Sequence, residues 1–176
     1  MRFHELDIPG AYSIDIEPVA DERGWFGRVF SYEAFAELGL DARVAQCSLS
    51  FNRRASTLRG MHFQRHPDQE SKLVLCVAGA VYDVLVDVRP ASPTHKTWAA
   101  VHLSASGPTA LFVPPGVAHG FLTLQDDTTL YYQISASYSP QATSGVRWDD
   151  PAFGIEWPIM PSVISARDAA FEDYTG

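Results

Sequence analysis

Of the six histidines in this 176-residue chain, His62 and His119 stand in the segments best built for proton chemistry. His62 lies in Leu58-Arg59-Gly60-Met61-His62-Phe63-Gln64. In an extended backbone His62 and Gln64 face one way, with Arg59 beside them. His119 follows Pro114-Pro115-Gly116, a rigid turn that fixes where its imidazole points. Imidazole titrates near neutrality and can take a proton from carbon. His4, His66, His95 and His102 read as structural; His102 alternates with Val101 and Leu103 and faces solvent. Tyr132 and Tyr138 share strand parity and can face the same side of a sheet. They are either packing residues or phenols able to protonate an enolate. Lys72 opens an apolar strand, either as a snorkelling lysine or as a cation aimed at a developing oxyanion.

Arg23, Arg28 and Arg59 are the candidate phosphate binders. Asp21-Glu22-Arg23-Gly24-Trp25-Phe26 reads as a turn into a strand. Its aromatics could stack on a base while the arginine pairs with phosphate, or it could be a solvated surface turn. The formal net charge of -8 argues against a nucleic-acid binder, which carries a basic stripe. It leaves room for a phosphorylated small molecule held by a few placed arginines. A metal site is the rival reading, with His62, His66, Glu70 and His119 as its possible ligands. The spacing is incomplete, because a metal-binding jelly roll of the cupin type wants a second histidine where Gln64 stands.

These side chains need a scaffold, and the length fits one domain over residues 1–176. With 46% hydrophobic residues the chain can build a core. No apolar run reaches the ~20 residues of a membrane helix, and the N-terminus lacks the apolar core of a signal peptide. The two cysteines, Cys47 and Cys76, lack metal spacing and read as buried free thiols. The expectation is a cytoplasmic protein. One helix is expected over Ser31 to Leu38, capped by Ser31, stopped at Gly39 and stapled by Phe30 and Phe35. A second short helix is expected near the C-terminus. Strands are expected at Lys72–Ala78 and Ala80–Val88, with Gly79 between them as a hairpin turn or bulge. In the second, Tyr82, Val84, Val86 and Val88 face one way, and Val81, Asp83, Leu85 and Asp87 the other. Strands at 97–104, 109–113, 117–124 and 129–138 continue the pattern, which suggests a sandwich, jelly roll or barrel.

The segments also come in a recognisable order. Asp21-Glu22-Arg23-Gly24-Trp25-Phe26 is followed by the His62 segment, Lys72-Leu73-Val74, and Tyr82 to Arg89. Then come Ser92-Pro93-Thr94, Pro115 to Phe121, Trp148-Asp149-Asp150-Pro151, Ile155-Glu156-Trp157-Pro158 and Ser165-Ala166-Arg167-Asp168. As an ordered set they resemble the dTDP-4-dehydrorhamnose 3,5-epimerase family over nearly the whole chain. The resemblance implies a mostly β, cupin-type jelly roll (double-stranded β-helix) with one or two short helices. It further implies a homodimer that trades N-terminal strands and chemistry without metal or cofactor, on a nucleotide-sugar substrate. It makes His62 the base, Asp168 its orienting carboxylate, Tyr132 the opposite-face acid and Lys72 the enolate stabiliser. Arg59 and His119 would line the sugar and phosphate site, and Arg23 and Phe26 would reach the nucleotide, in the partner subunit. Arg28, Gln46 and Tyr138 complete the candidate binding set.

Two features depart from the family pattern. Arg28 stands near where better-known members carry a glutamate that reads the thymine base. The loop Gln46-Cys47-Ser48-Leu49-Ser50-Phe51-Asn52-Arg53-Arg54 looks one residue longer than usual, and it should border the sugar pocket. Inversion of C3, C5 or both beside a C4 ketone needs a base on one face and an acid on the other. The alternatives are a metal-dependent cupin isomerase or oxygenase, and a non-catalytic sugar-binding jelly roll.

Overall fold

The structure, a computed structural model, describes all 176 residues. In chain order the first elements are β1 (Arg2–Glu5), β2 (Tyr12–Asp15), β3 (Val19–Asp21), β4 (Gly24–Phe26), α1 (Tyr32–Glu37), β5 (Gln46–Asn52), β6 (Thr57–Gln64) and β7 (Lys72–Ala78). They are followed by β8 (Ala80–Asp87), β9 (Trp98–Ser104), β10 (Thr109–Val113), β11 (Val117–Thr123), β12 (Thr128–Ile134), β13 (Thr143–Gly145), β14 (Val163–Ile164) and α2 (Ala166–Ala169). The first sheet runs β1-β2-β10-β7-β12-β5. The second runs β13-β6-β11-β8-β9, with β14 added in parallel to β6. A separate hairpin joins β3 and β4. The two large sheets face each other as a jelly roll, one of the three architectures that the strand pattern suggested.

Three apolar layers hold this arrangement. Between the sheets, Val74, Leu111 and Leu130 of the first meet Val81, Leu85, Leu103 and Phe121 of the second. On the outer face of the first sheet, Leu73, Leu75 and Phe112 pack under Phe35 of α1. On the outer face of the second, Val84, Val86 and Val88 lie under Phe153, Ile155 and Trp157 of the C-terminal segment. The alternation read in β8 is therefore real, and both faces of that strand are buried. Full burial of one such side chain is worth about 1.5–3 kcal/mol, so losing either outer cover would expose several such contributions.

Helix α1 starts after Ser31 and gives way at Gly39, whose φ is 69°. Ser31 sits at the cap position, but its hydroxyl bonds Glu33 instead of a backbone N–H. The Phe30–Phe35 staple forms, with ring centroids 5.0 Å apart. The short C-terminal helix is α2, capped by Ser165, whose Oγ accepts from the Asp168 N–H.

Four expectations need correction. Gly79 is not a hairpin turn, because β7 and β8 lie in different sheets and the chain crosses between them at this glycine. Its φ of 76° and the contact a Cβ would make with Thr128 explain the residue. The bulge lies beside it, where β7 shifts register against β12 between Thr129 and Leu130. Strand β12 ends at Ile134, so Tyr138 lies in the following loop and shares no strand parity with Tyr132. The stretch from Gln46 is mainly the edge strand β5, not a loop. Cys76 is buried, but Cys47 on that edge strand is exposed. No helix is long and apolar enough to cross a membrane.

Candidate active site

A bulge in β6 aims the central residues. His62 pairs with His119 of β11 and Arg59 with Phe121, so Gly60 and Met61 together oppose the single residue Gly120. The expectation that an extended backbone alone sets Arg59 beside His62 is corrected here: regular alternation sends residues 59 and 62 to opposite faces, and the extra residue of the bulge lets both line one cavity. Glycine is required on both sides of the bulge. Gly60 has φ 132°, and a Cβ there would sit 2.5 Å from the Gly120 Cα.

The cavity has a volume of about 680 Å³ and opens between the two sheets. On the second sheet's side His62 is fixed from two directions. Its Nε2 lies 2.8 Å from Asp168 Oδ1, and its ring packs edge-on against Phe171 at 6.1 Å. Asp168 is buried in α2 and its other oxygen accepts from the Gly60 N–H at 3.2 Å. A carboxylate can only accept, so it holds the hydrogen on Nε2 and leaves Nδ1 as the basic nitrogen. Burial lowers the His62 pKa below the usual imidazole range. The bond to Asp168 pulls it upward and the charges of Lys72 and Arg167 push it down. The carboxylate does raise basicity as expected, but burial outweighs it.

The first sheet supplies the opposing wall. Tyr132 of β12 and Lys72 of β7 both line the cavity. The Tyr132 phenol is held well above its usual pKa, by burial first and by the nearby Asp83 charge second. It therefore stays protonated and able to donate. Its ring meets His119 across the sheets at 6.0 Å. His119 Nε2 is 2.7 Å from Asp83 Oδ1, in a pair sealed from solvent. Burial pushes the Asp83 carboxyl up, partly offset by His119. Lys72 is not a snorkelling lysine: its side chain is 11% exposed, and Nζ donates to the His62 carbonyl at 3.1 Å and pairs with Glu70 at 3.0 Å. An imidazole base thus faces a phenol and an ammonium across one cavity, an arrangement suited to removing a proton beside a carbonyl and returning one.

A family model described as dTDP-4-dehydrorhamnose 3,5-epimerase matches residues 5–175. The chain belongs to the dTDP-4-dehydrorhamnose 3,5-epimerase family. The enzyme of that name from Sinorhizobium fredii is 41% identical over 171 residues, covering 97% of this chain and 88% of that protein. The dTDP-4-dehydrorhamnose 3-epimerase of Streptomyces niveus is 39% identical over 169 residues, covering 96% of this chain and 81% of that one. The crystal structure of the Bacillus anthracis 3,5-epimerase, with TDP and PPi bound, has a TM-score of 0.94 at 35% identity, over 98% of this chain and 99% of that chain. The jelly roll is therefore of the cupin type found in this epimerase family.

Other candidate residues of the epimerase-like site divide by position. Gln46, Arg59, His119 and Tyr138 line the cavity. The Arg59 Nε donates to Asn52 Oδ1 at 2.7 Å, and Gln46 donates to the Ala136 carbonyl. Tyr138 stands 61% exposed at the mouth. Arg23, Phe26 and Arg28 do not reach the cavity of their own chain. Arg23 pairs with Asp21 on the β3–β4 hairpin, where Phe26 is 76% exposed.

The rival ligand set does not assemble. His62, Glu70 and His119 are each bonded to a different partner, and exposed His66 is outside the cavity. No three histidine, cysteine, aspartate or glutamate side chains converge as a metal site. Gln64, where a second histidine would stand, bonds Asp68, Ser137 and Ser139 and ties two loops together. Two contributors escaped the sequence reading. Asp83 showed itself only as a carboxylate inside an apolar strand. Phe171 gave no signal beyond its closeness to Asp168.

Proposed function

We propose that this chain is an isomerase that inverts C3, C5 or both in a dTDP-4-keto-6-deoxyhexose. The observation that carries this reading is the opposition of His62–Asp168 on one sheet to Tyr132 and Lys72 on the other. His62 Nδ1 takes the proton from the carbon beside the C4 ketone. Lys72 donates to the ketone oxygen as negative charge develops there, which is often the largest catalytic contribution. Tyr132 returns a proton from the opposite face. Arg59 and His119 line the sugar and phosphate site, with Gln46 and Tyr138 completing the binding set around the same cavity.

The hairpin of β3 and β4 is assigned to a homodimer. Its exposed Val19, Trp25 and Phe26 present apolar surface that a second copy would cover. In that arrangement Arg23, Phe26 and Arg28 reach the partner's nucleotide. The chain acts as one domain, and a cytoplasmic location suits a nucleotide-sugar substrate.

The test is incubation with dTDP-4-keto-6-deoxyglucose in heavy water, with the C3 and C5 protons followed by NMR. Loss of both signals identifies a 3,5-epimerase, and loss of one a single-centre enzyme. Retention of both would overturn the proposal.

A further inference from the structure

Glu70 has no part in the proton transfers above, yet it lines the cavity and is only 8% exposed. Its Oε1 lies 3.0 Å from Lys72 Nζ. Its Oε2 is buried and has no hydrogen-bond partner. A buried carboxylate oxygen without a donor is costly, so a donor supplied by a ligand would be strongly favoured. Lys72 has three N–H donors, of which one goes to the His62 carbonyl and one to Glu70. The third remains for a group in the cavity.

We infer that Glu70 is a specificity-determining residue that accepts a hydrogen bond from the substrate's C3 hydroxyl while pinning Lys72 on the C4 ketone. The inference rests on the epimerase reading. Lys72 already balances the carboxylate charge, so the missing donor is a neutral O–H and not a second cation. A ketone oxygen held by Lys72 would bring the neighbouring carbons of the sugar to the Glu70 carboxylate, whose Oε1 is 3.0 Å from the same Nζ. C5 carries the ring oxygen and a methyl group, neither of which donates. C3 carries the one hydroxyl beside the ketone. The ligand class is thus an α-hydroxy ketone, and the free oxygen of Glu70 distinguishes it from a 3-deoxy ketone.

The experiment compares dTDP-4-keto-6-deoxyglucose with dTDP-4-keto-3,6-dideoxyglucose in heavy water, following exchange at the positions that the wild type labels. Both sugars carry exchangeable hydrogens at C3 and C5. A hydrogen bond to a charged acceptor is worth roughly tenfold to a hundredfold, and the wild type should favour the hydroxylated sugar in kcat/KM by that order. Glu70→Ala should erase the preference. Glu70→Gln, with the same shape and a neutral acceptor, should keep part of it. Unchanged dTDP affinity in the variants shows that the site is still formed. If Glu70→Ala loses dTDP binding, the Gln variant decides, and a wild-type preference there overturns the inference. So does an equal slowing of both sugars in Glu70→Ala, because Glu70 would then act only through Lys72. If the wild type labels neither sugar, the epimerase reading itself fails and takes this inference with it.

Discussion

His62 and His119 are direct partners in the antiparallel ladder of β6 and β11, yet each is bonded to its own carboxylate. Directly opposed residues share a face of the sheet, so both imidazoles point into the cavity. Their surroundings then separate them. The His62 side chain keeps 36% exposure, and its partner Asp168 comes from α2. The His119–Asp83 pair is closed off and packs against Tyr132. The first arrangement leaves a nitrogen open to substrate. The second builds a fixed wall and sets the electrostatics around the phenol.

Asp168→Asn should cost more than the loss of one charge. The Gly60 N–H needs an acceptor and will take the amide carbonyl of the new side chain. The amide NH₂ then faces His62 Nε2 and forces the hydrogen onto Nδ1, the nitrogen that must accept the proton. A fall in kcat of roughly 10²–10⁴ is expected, with dTDP affinity retained. Steady-state kinetics beside a binding titration will check this; a kcat within threefold of wild type would remove Asp168 from its assigned role.

Much of this architecture was legible because strand alternation is local. Tyr82, Val84 and Val86 read correctly as one face of β8, with Val88 just past the end of the strand continuing the same layer, since each side of the strand meets its own apolar layer. The helix at Tyr32–Glu37 was marked by its stop and by its staple. The misreadings are non-local. A glycine with positive φ serves a hairpin turn and a crossing between sheets equally, so Gly79 could not announce which it was. Alternation places Tyr138 beside Tyr132 only while a strand continues, and the chain leaves the sheet after Ile134. Alternation gives Asp83 a direction but no partner, because His119 lies 36 residues away and meets it only through the β8–β11 pairing. Cys47 belongs to an apolar-looking strand whose position at a sheet edge its sequence does not reveal.

The pH profile follows from the two shifted groups. His62 must be neutral to act, and its pKa lies below the ordinary imidazole value. The kcat/KM should therefore be full at neutrality and lost as pH falls through a pKa below about 6.5. Tyr132 must be protonated and is held well above its usual value, so it adds no alkaline loss below about pH 10. Lys72→Met removes a charge that depresses His62, and the acid limb should move to higher pH even as overall activity drops. An acid limb that stays in place would show that Lys72 does not act on His62.

Tyr132→Phe should uncouple exchange from inversion. His62 still removes the proton, so deuterium should enter the substrate from heavy water. With the opposite-face acid gone, it returns mostly to the original face. Net inversion should fall by roughly 10²–10⁴ while exchange falls much less. NMR follows both quantities in one sample. Equal loss of exchange and inversion would mean that Tyr132 assists proton removal instead.

Gly145→Ala should disturb the base without touching it. The position pairs with His62 across β13 and β6, and an added Cβ would press into the Phe171 ring and stand 2.6 Å from the Met61 carbonyl. Phe171 lies nearer than the carbonyl, so its ring must move, and a small backbone shift takes up the remaining contact. Phe171 packs against His62 and follows α2, which carries Asp168. Overpacking of this kind costs about 1–3 kcal/mol, which lowers Tm by roughly 2–12 °C at this chain length. The kcat should fall as the His62–Asp168 alignment loosens. Phe171→Leu in the same chain makes room for the methyl group, so the double variant should be more stable than the sum of the two single effects predicts, by at least about 0.5 kcal/mol. Thermal unfolding of the four proteins measures this coupling. Strict additivity would mean that the methyl group is accommodated elsewhere and that Phe171 does not transmit the strain to His62.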